Sequence, residues 1–455
     1  MDKTATSHRK RAWLITWLIL AGMAMGALAG AWLHGLKGSD AVGYQTTIDL
    51  FSFVGNTLFM GLLKMLIVPL IIASVIVGVA SIGDFKSLGR IGLKTGIYFL
   101  VTMLIAATIG LALVNTIRPG DGIGAAQVER GEKEYVENKE AQTKIEKGPS
   151  GFGSAMLEIV EDMIPTNPIA SAADPKIAAL PIIAFSIFFA IMLTTIGSRG
   201  SVVLRFFDAV FETMTAMVHV VIMLAPVGVF CLLAWTVGRI GLEIFVGGMA
   251  KYIATVLSGL FIHGVIVLPL ILWIFGRTNP FRFMHQMRQA LMTAFSTDSS
   301  SATLPVTIEC AVEEGGCSRK AAGFVLPLGA TVNMDGTALF EAVAVAFIAQ
   351  SYGVQLDLEQ SVIIAITATL TAIGAAGIPS ASLVLMPVVI AAVNQSLDPS
   401  GTSTAAIIPI AGIGLVLGVD RILDMSRTVV NVWGDAVGAK IITRSEPDEP
   451  DVGRM

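Results

Sequence analysis

Charge is what this chain has least of. Only 14% of its 455 residues are Asp, Glu, Lys or Arg, against about 25% in soluble domains. The net charge of -4 is too small to build the basic field that holds a nucleic acid, so no nucleic-acid partner is expected. Cysteine is almost absent. Cys231, Cys310 and Cys317 show neither metal-site spacing nor a disulfide framework and suit a role as small apolar filler. The five histidines, His8, His34, His219, His263 and His285, are scattered. No nucleophile–base pair or transition-metal ligand set accompanies them, which argues against an integral-membrane enzyme. Apolar sequence, by contrast, is plentiful: 54% of residues are hydrophobic and the mean hydropathy is +0.76. Several segments exceed the roughly 20 apolar residues that cross a bilayer, which makes the chain an all-α, polytopic integral membrane protein.

The apolar run after the basic start MDKTATSHRKRAW is long and lacks a clear cleavage signal, so it reads as a first span, Trp13 to Leu33, that stays. Arg9, Lys10 and Arg11 place the N-terminus in the cytoplasm. A second span covers Leu50 to Ser81, with Lys64 in its middle, and a third Thr95 to Ile117. Arg118 to Gly148 mixes charges without apolar periodicity and reads as a solvated external loop, with room for a frayed helix and without chemistry. Pro165, Pro168, Pro175 and Pro181 point to a broken fourth span. A fifth covers Phe206 to Val237 and a sixth Met249 to Phe275. The basic residues of the short loops (Lys86, Arg90, Lys94; Arg199, Arg205; Arg277, Arg282, Arg288) agree with one topology.

The last third changes character. From Gln289 to Val312 a polar tip, Ser296 to Ser301, splits two apolar arms, each too short to cross about 30 Å of hydrocarbon. That is the pattern of a re-entrant hairpin. A seventh span, Ala321 to Gln350, is interrupted by Asn333, Met334, Asp335, Gly336 and Thr337. Breaks at mid-depth are tolerated only where they line a cavity or bind something. Val362 to Val393 repeats the hairpin with a small-residue tip, IGAAGIPSAS, and an eighth span follows. A hairpin and then a polar span thus occur twice, entering from opposite faces, and inverted repeats with broken helices mark secondary transporters.

The eighth span, Gly418 to Gly438, carries Asp420, Asp424, Arg427, Thr428, Asn431 and Asp435. On a helix these fall within an arc of about 100° over about 22 Å of rise. Ionisable groups there cost several kcal/mol unless they pair or line a wet cavity, so the stripe reads as a binding site with its own counter-ions. An internal salt-bridge lock is the alternative. Asp424 and Arg427 are neighbours at i, i+3. A carboxylate holds an ammonium and a guanidinium holds a carboxylate in a fork, while backbone donors beside Ser299, Ser300 and Ser301 favour an anion. Together they complement an amino acid with a second carboxylate, unless Asp424 and Arg427 satisfy only each other. Asn333 with Asp335, and Asn431 with Asp435, offer all-oxygen shells of the kind hard cations take. Free carbonyls near Gly374, Gly377 and Pro379 add to this. Glu341, buried in LFEAVAVAFIAQ, is either a proton carrier, its charged form disfavoured by desolvation, or a fixed hydrogen-bonding residue.

The serine-rich tip with TLP (Thr303 to Pro305), NMDGT (Asn333 to Thr337), AAGIP (Ala375 to Pro379) and DMSRTVVNVWGD (Asp424 to Asp435) occur in one order. In these motifs, and over nearly all its length, the chain resembles the glutamate transporter family, the dicarboxylate/amino acid:cation symporters. The resemblance implies eight transmembrane helices plus two re-entrant hairpins in a homotrimer of elevator-type transporters, located in the cell (inner) membrane. It implies a cytoplasmic N-terminus (1–12) and six spans in 13–275. Spans 1, 2, 4 and 5 would form a scaffold, with an external loop at 118–150, and spans 3 and 6 would move with a transport core at 283–440. A cytoplasmic tail (441–455) would end the chain. For the substrate it implies Asp424 at the amino group, Arg427 at the side-chain carboxylate, Thr337, Thr428 and Asn431 completing the site, and backbone from Asp298, Ser300 and Ile378. One sodium site would use Gly329, Asn333, Asn431 and Asp435, a second Thr331, Ala372, Ile373 and Ala375, and a third Asn333, Asp335 and Thr102. Glu341 matches the proton-carrying glutamate of proton-coupled members. The chain departs from the family at Phe99 and Met103, where members often offer tyrosine and a hydroxyl. It departs again at Asp298 and Met425, where many members carry an extra arginine. The function implied is symport of L-glutamate or L-aspartate with sodium, protons or both, without an organic cofactor. Symport of C4-dicarboxylates, or an anion conductance as the main activity, are the alternatives.

Overall fold

A computed structural model describes residues 3–36, 41–80, 85–137, 157, 161, 164–173, 179–240, 249–373, 375, 377, 379–397 and 407–447. Among them there is no strand. The first half is built from α1 (Lys3–Leu36), α2 (Ala41–Ser52), α3 (Met60–Ala80), α4 (Phe85–Ile117), α5 (Ala125–Glu137), α6 (Pro168–Ala173), α7 (Ala179–Thr195), α8 (Gly200–Ile222) and α9 (Ala225–Ile240). A π-helical turn, Phe53–Phe59, joins α2 to α3 without a break, so the second span starts well before the expected Leu50. Lys64 is exposed on α3.

Two expectations need correction here. The single fifth span, Phe206 to Val237, is two helices, α8 and α9, meeting at 59°. Pro226, at the second residue of α9, lacks the N–H that a continuous helix would require. The segment after α4 is also not wholly solvated. Within its described part α5 forms and packs on the start of the last helix, burying Gly131 and accepting a hydrogen bond from the Tyr352 hydroxyl at Glu132 Oε1, 2.9 Å. The rest of that loop, with Pro175 of the broken fourth span, lies outside the described residues.

The second half runs α10 (Ala250–Phe261), a π turn (Ile262–Val267), α11 (Leu268–Ile271), a second π turn (Leu272–Gly276), α12 (Pro280–Gln286), α13 (Arg288–Thr297), α14 (Ser300–Glu309), α15 (Arg319–Val332), α16 (Asp335–Ser351), α17 (Leu358–Ile373), α18 (Ala381–Leu397) and α19 (Gly414–Ser445). The helices α13 and α14 have 10 residues each, about 15 Å of rise. They turn back on each other, as the first hairpin requires, and α17 and α18 form the second. The seventh span is α15 and α16, interrupted at Asn333 and Met334.

By length and composition, five helices among the described residues can cross a membrane, or six if the bent α8–α9 pair counts as one. The helix α19 is long enough at 32 residues, but its polar stripe keeps it out of that group. Burial separates the layers. The Trp17–Leu36 window is 28% buried, whereas Arg319–Ser351 is 94% buried. The first exposes Leu28 and Trp32; the second is enclosed by protein, the condition under which a backbone break at membrane depth is tolerated. The outer helices pack as α1 on α9 and α3 on α7 and α8, while α4 and α10 pack on α16, and α15 and α16 on α19.

Candidate functional site

The site forms where the break in span 7 meets the unbroken α19. Two glycines allow the approach. A Cβ on Gly336 would lie 2.6 Å from the Arg427 carbonyl oxygen, and one on Gly434 would lie 2.6 Å from Asp335 Oδ2. Gly336 must therefore be glycine for the backbones to approach this closely, and a side chain at 434 would have to displace the Asp335 carboxylate. With the backbones this near, the polar stripe of α19 faces the ends of α15 and α16.

Arg427 is completely buried. Its Nε donates to Asp424 Oδ1 at 3.1 Å, Nη1 to Ser382 Oγ at 2.7 Å, and Nη2 to Asp420 Oδ1 at 2.9 Å. Nη2 also approaches Asp424 Oδ1 at 2.7 Å, and the guanidinium carbon sits 3.8 Å from the Phe340 ring centroid. Every face of the group is therefore engaged, and desolvation is offset by two carboxylates. The second oxygen of Asp424 accepts the backbone N–H of Ser380 at 2.6 Å, which ties the second hairpin to α19. The self-satisfied Asp–Arg pair foreseen from the sequence is thus present, with Asp420 and Ser382 as further partners.

The two hairpin tips meet at one carbonyl. Gly377 O accepts from Ser299 Oγ at 2.6 Å and from the Ser301 N–H at 3.2 Å. Ser299 also caps α14, accepting the Ala302 N–H at 3.1 Å. Asp298 ends α13 in the left-handed region, φ 56°, which Asp tolerates better than most residues. Its buried carboxylate lies 3.5 Å from the Thr428 hydroxyl and 3.3 Å from Arg421 Nε. Ser300 begins α14, and Thr337 lies 3.4 Å from Asn431 Nδ2. Ile378 lies outside the described residues, as do Gly374 and Ala376.

The expected cation ligands cluster at the break. Asn333 Nδ2 donates to Asp435 Oδ1 at 3.0 Å, and Thr102 Oγ1 lies 3.4 Å from Asn333 Oδ1. Asn431 Oδ1 accepts the Gly336 N–H at 2.7 Å, and the Asn333 N–H reaches Gly329 O at 2.9 Å. Thr331 donates within its own turn to Leu328 O at 3.2 Å; Ala372, Ile373 and Ala375 lie at the end of α17, where the Ala375 N–H reaches Ala372 O at 3.1 Å. Where members of the family often carry a hydroxyl, Met103 instead presents its sulfur to the Met334 N–H at 3.3 Å. Among the described residues no three His, Cys, Asp or Glu side chains could together hold a metal ion. A cation at this break would rely on mixed carboxylate, amide, hydroxyl and main-chain oxygens, a donor set that fits a hard cation. Glu341 is completely buried; Oε2 accepts the Thr371 hydroxyl at 2.9 Å, and Oε1 has no hydrogen-bond partner.

Sequence reasoning missed Ser380, Ser382, Arg421 and His263. The serines act through a tip whose fold no periodicity announces. Arg421 follows Asp420 on the stripe but points to the first hairpin. His263 stood in plain view as an ionisable residue inside an apolar span, a functional signal by default.

Residues 15–445 match the model of the sodium:dicarboxylate symporter family. Among curated proteins, the mouse (Mus musculus) excitatory amino acid transporter 3 is 36% identical over 96% of this chain and 87% of its own length. The human (Homo sapiens) protein of the same name is 37% identical over 88% of this chain and 81% of its own. The bovine (Bos taurus) neutral amino acid transporter B(0) is 34% identical, with 95% and 80% covered.

Proposed function

The chain belongs to the sodium:dicarboxylate symporter family, and from that premise we propose that it takes up acidic amino acids, L-aspartate and L-glutamate, with sodium and a proton. The coarser part stands on the family and the relatives: a multi-pass membrane protein, a sodium-coupled symporter of amino acids or dicarboxylates, and not an enzyme. Relatives named for neutral and for excitatory amino acids are about equally similar, so the choice between them rests on the site.

The observation that carries it is the Arg427 guanidinium, fully buried and held on one side by Asp420 and Ser382. Its other partner, Asp424, is the group an ammonium would take. When the substrate ammonium binds Asp424, the Nε side of Arg427 is released for the substrate's second carboxylate, while Asp420 and Ser382 keep the guanidinium in place. A neutral amino acid would leave that side of a buried charge unpaired, and a C4-dicarboxylate would leave Asp424 unpaired; each costs kcal/mol. The α-carboxylate goes to the start of α14, where Ser300 and its neighbours offer backbone N–H groups, with Asp298, Thr337, Ile378, Thr428 and Asn431 around it.

Sodium is cargo in this reading. Gly329, Asn333, Asn431 and Asp435 hold one ion. Thr331 with the carbonyls of Ala372, Ile373 and Ala375 holds a second, and Asn333, Asp335 and Thr102 a third. Glu341 carries the proton, one of its oxygens being buried without a partner. The homotrimer, the elevator motion, eight spans with two hairpins, the cell membrane and cytoplasmic termini belong to the same proposal, supported by the resemblance in motif order. The test is aspartate uptake into proteoliposomes with sodium and proton gradients imposed separately, in wild type and Glu341→Gln. Wild type responds to both gradients, and the mutant exchanges aspartate but ignores the proton gradient. Wild-type uptake indifferent to the proton gradient rejects proton coupling, and indifference to sodium rejects the whole reading.

A further inference from the structure

We propose that His263 is a positioning residue that holds the Asp335 carboxylate in the orientation from which it ligates the sodium cargo. The inference rests on the reading of Asp335 as a ligand. His263 Nε2 lies 3.2 Å from Asp335 Oδ2, with both side chains at 0% exposure. Among the described residues this is the only ion-pair approach to the Asp335 carboxylate, and in this geometry neither its oxygens nor the two ring nitrogens make a hydrogen bond. A buried carboxylate left without donors costs several kcal/mol, so the one polar side chain within reach largely decides which way it faces.

The local fold explains how a histidine in an apolar span comes to point there. Pro269 cannot donate to the helix and crowds the preceding turn. The chain answers with a π turn, Ile262–Val267, closed by the Leu268 N–H on His263 O. Such turns widen the helix, re-aim one side chain and recur at functional sites. This one is pinned to α19: Trp433 Nε1 donates to Gly264 O at 3.0 Å, and Gly264 packs near Val430. The residue after Trp433 is Gly434, whose missing Cβ makes the space that Asp335 Oδ2 fills. One turn of span 6, one glycine of α19 and the break in span 7 thus close around a single carboxylate oxygen. A small turn of the ring would bring an Nε2 hydrogen onto Oδ2 and leave Oδ1 available as a ligand. Groups that orient a metal's ligand in this way typically govern metal affinity by 10- to 100-fold.

The test compares two amides of similar polarity. In His263→Gln the side-chain amide reaches the place of Nε2, whereas in His263→Asn it stops at the place of Nδ1. Sodium half-saturation is measured on purified full-length protein without amino acid, from the rise in melting temperature with sodium at constant ionic strength. Expected is a half-saturation within about threefold of wild type for Gln and raised about tenfold or more for Asn. Equal values for the two variants overturn the positioning role, because packing alone does not distinguish them by amide reach. Asp335→Asn is measured alongside. If it leaves sodium half-saturation unchanged, the ligand reading of Asp335 itself fails. If it raises it while both His263 variants match wild type, only the positioning inference fails.

Discussion

Spans 7 and 8 carry polarity into the same membrane depth by opposite means. Span 7 gives up its helix at Asn333 and Met334, and the loosened chain offers main-chain oxygen beside short amide and carboxylate side chains. Span 8 keeps its helix for 32 residues and puts its polarity in long side chains on one stripe. An interrupted backbone fixes small, close-set oxygens and suits bare cations. An unbroken helix holds charged forks at fixed spacing and suits a larger zwitterion. The two come together only because Gly336 and Gly434 let backbone and carboxylate touch. Under the proposed function this would be a division of labour, with the substrate read mainly by span 8 and the cation held by the break together with Asn431 and Asp435 of span 8.

The mutation with the largest expected effect breaks span 8 at its centre. Arg427→Cys removes a buried charge with four polar contacts and should weaken aspartate by about 2–5 kcal/mol, while neutral amino acids lose little or gain. Competition against labelled aspartate in proteoliposomes measures both, and unchanged aspartate affinity would remove Arg427 from the site. Next comes the contact between the spans. Gly336→Ala forces a methyl against the Arg427 backbone and should cost about 1–3 kcal/mol, read as a lower melting temperature and as weaker sodium and substrate binding together. A variant with wild-type stability and transport would show that the spans need not touch. Asp435→Asn tests the cation side more gently. Sodium affinity should drop about tenfold, and substrate affinity should follow through reciprocal linkage; a substrate affinity that keeps its wild-type sodium dependence excludes Asp435 as a ligand. The smallest effect is a control outside both spans. Glu132→Ala removes the acceptor of the Tyr352 hydroxyl and should shift stability by only about 1 kcal/mol with uptake unchanged. A transport defect there would give α5 a role that spans 7 and 8 do not explain.

How far the sequence carried the fold follows from the same physics. The two hairpins, the break at Asn333 and the stripe on α19 were legible because each violates the apolar rule of a span, and a violation costs enough to demand a reason. The split of the expected fifth span at Pro226 was missed because a proline near a helix start is compatible with either reading. The packing of α5 was missed because the apolar residues that face the core, Tyr135 among them, are few and stand between charges. At the site, Asp424, Arg427, Asn333 and Asp435 declared themselves by type and spacing. Ser382 and His263 could not be assigned, since their roles depend on which helices face each other. Arg421 illustrates the limit: it stands beside Asp420 in sequence, yet pairs across to Asp298 at the first hairpin.

The most direct test of the central claim is substrate competition in the wild-type protein. Sodium-driven uptake of labelled aspartate into proteoliposomes is measured against rising unlabelled glutamate, succinate and serine. Glutamate should compete at concentrations at least about tenfold below both other compounds, since losing either charged contact at a buried site costs more than the 1.4 kcal/mol that a factor of ten represents. Serine competing as well as glutamate would mean that Arg427 serves only Asp420 and Asp424. Succinate competing as well would mean that Asp424 reads no ammonium. Either result contradicts the account.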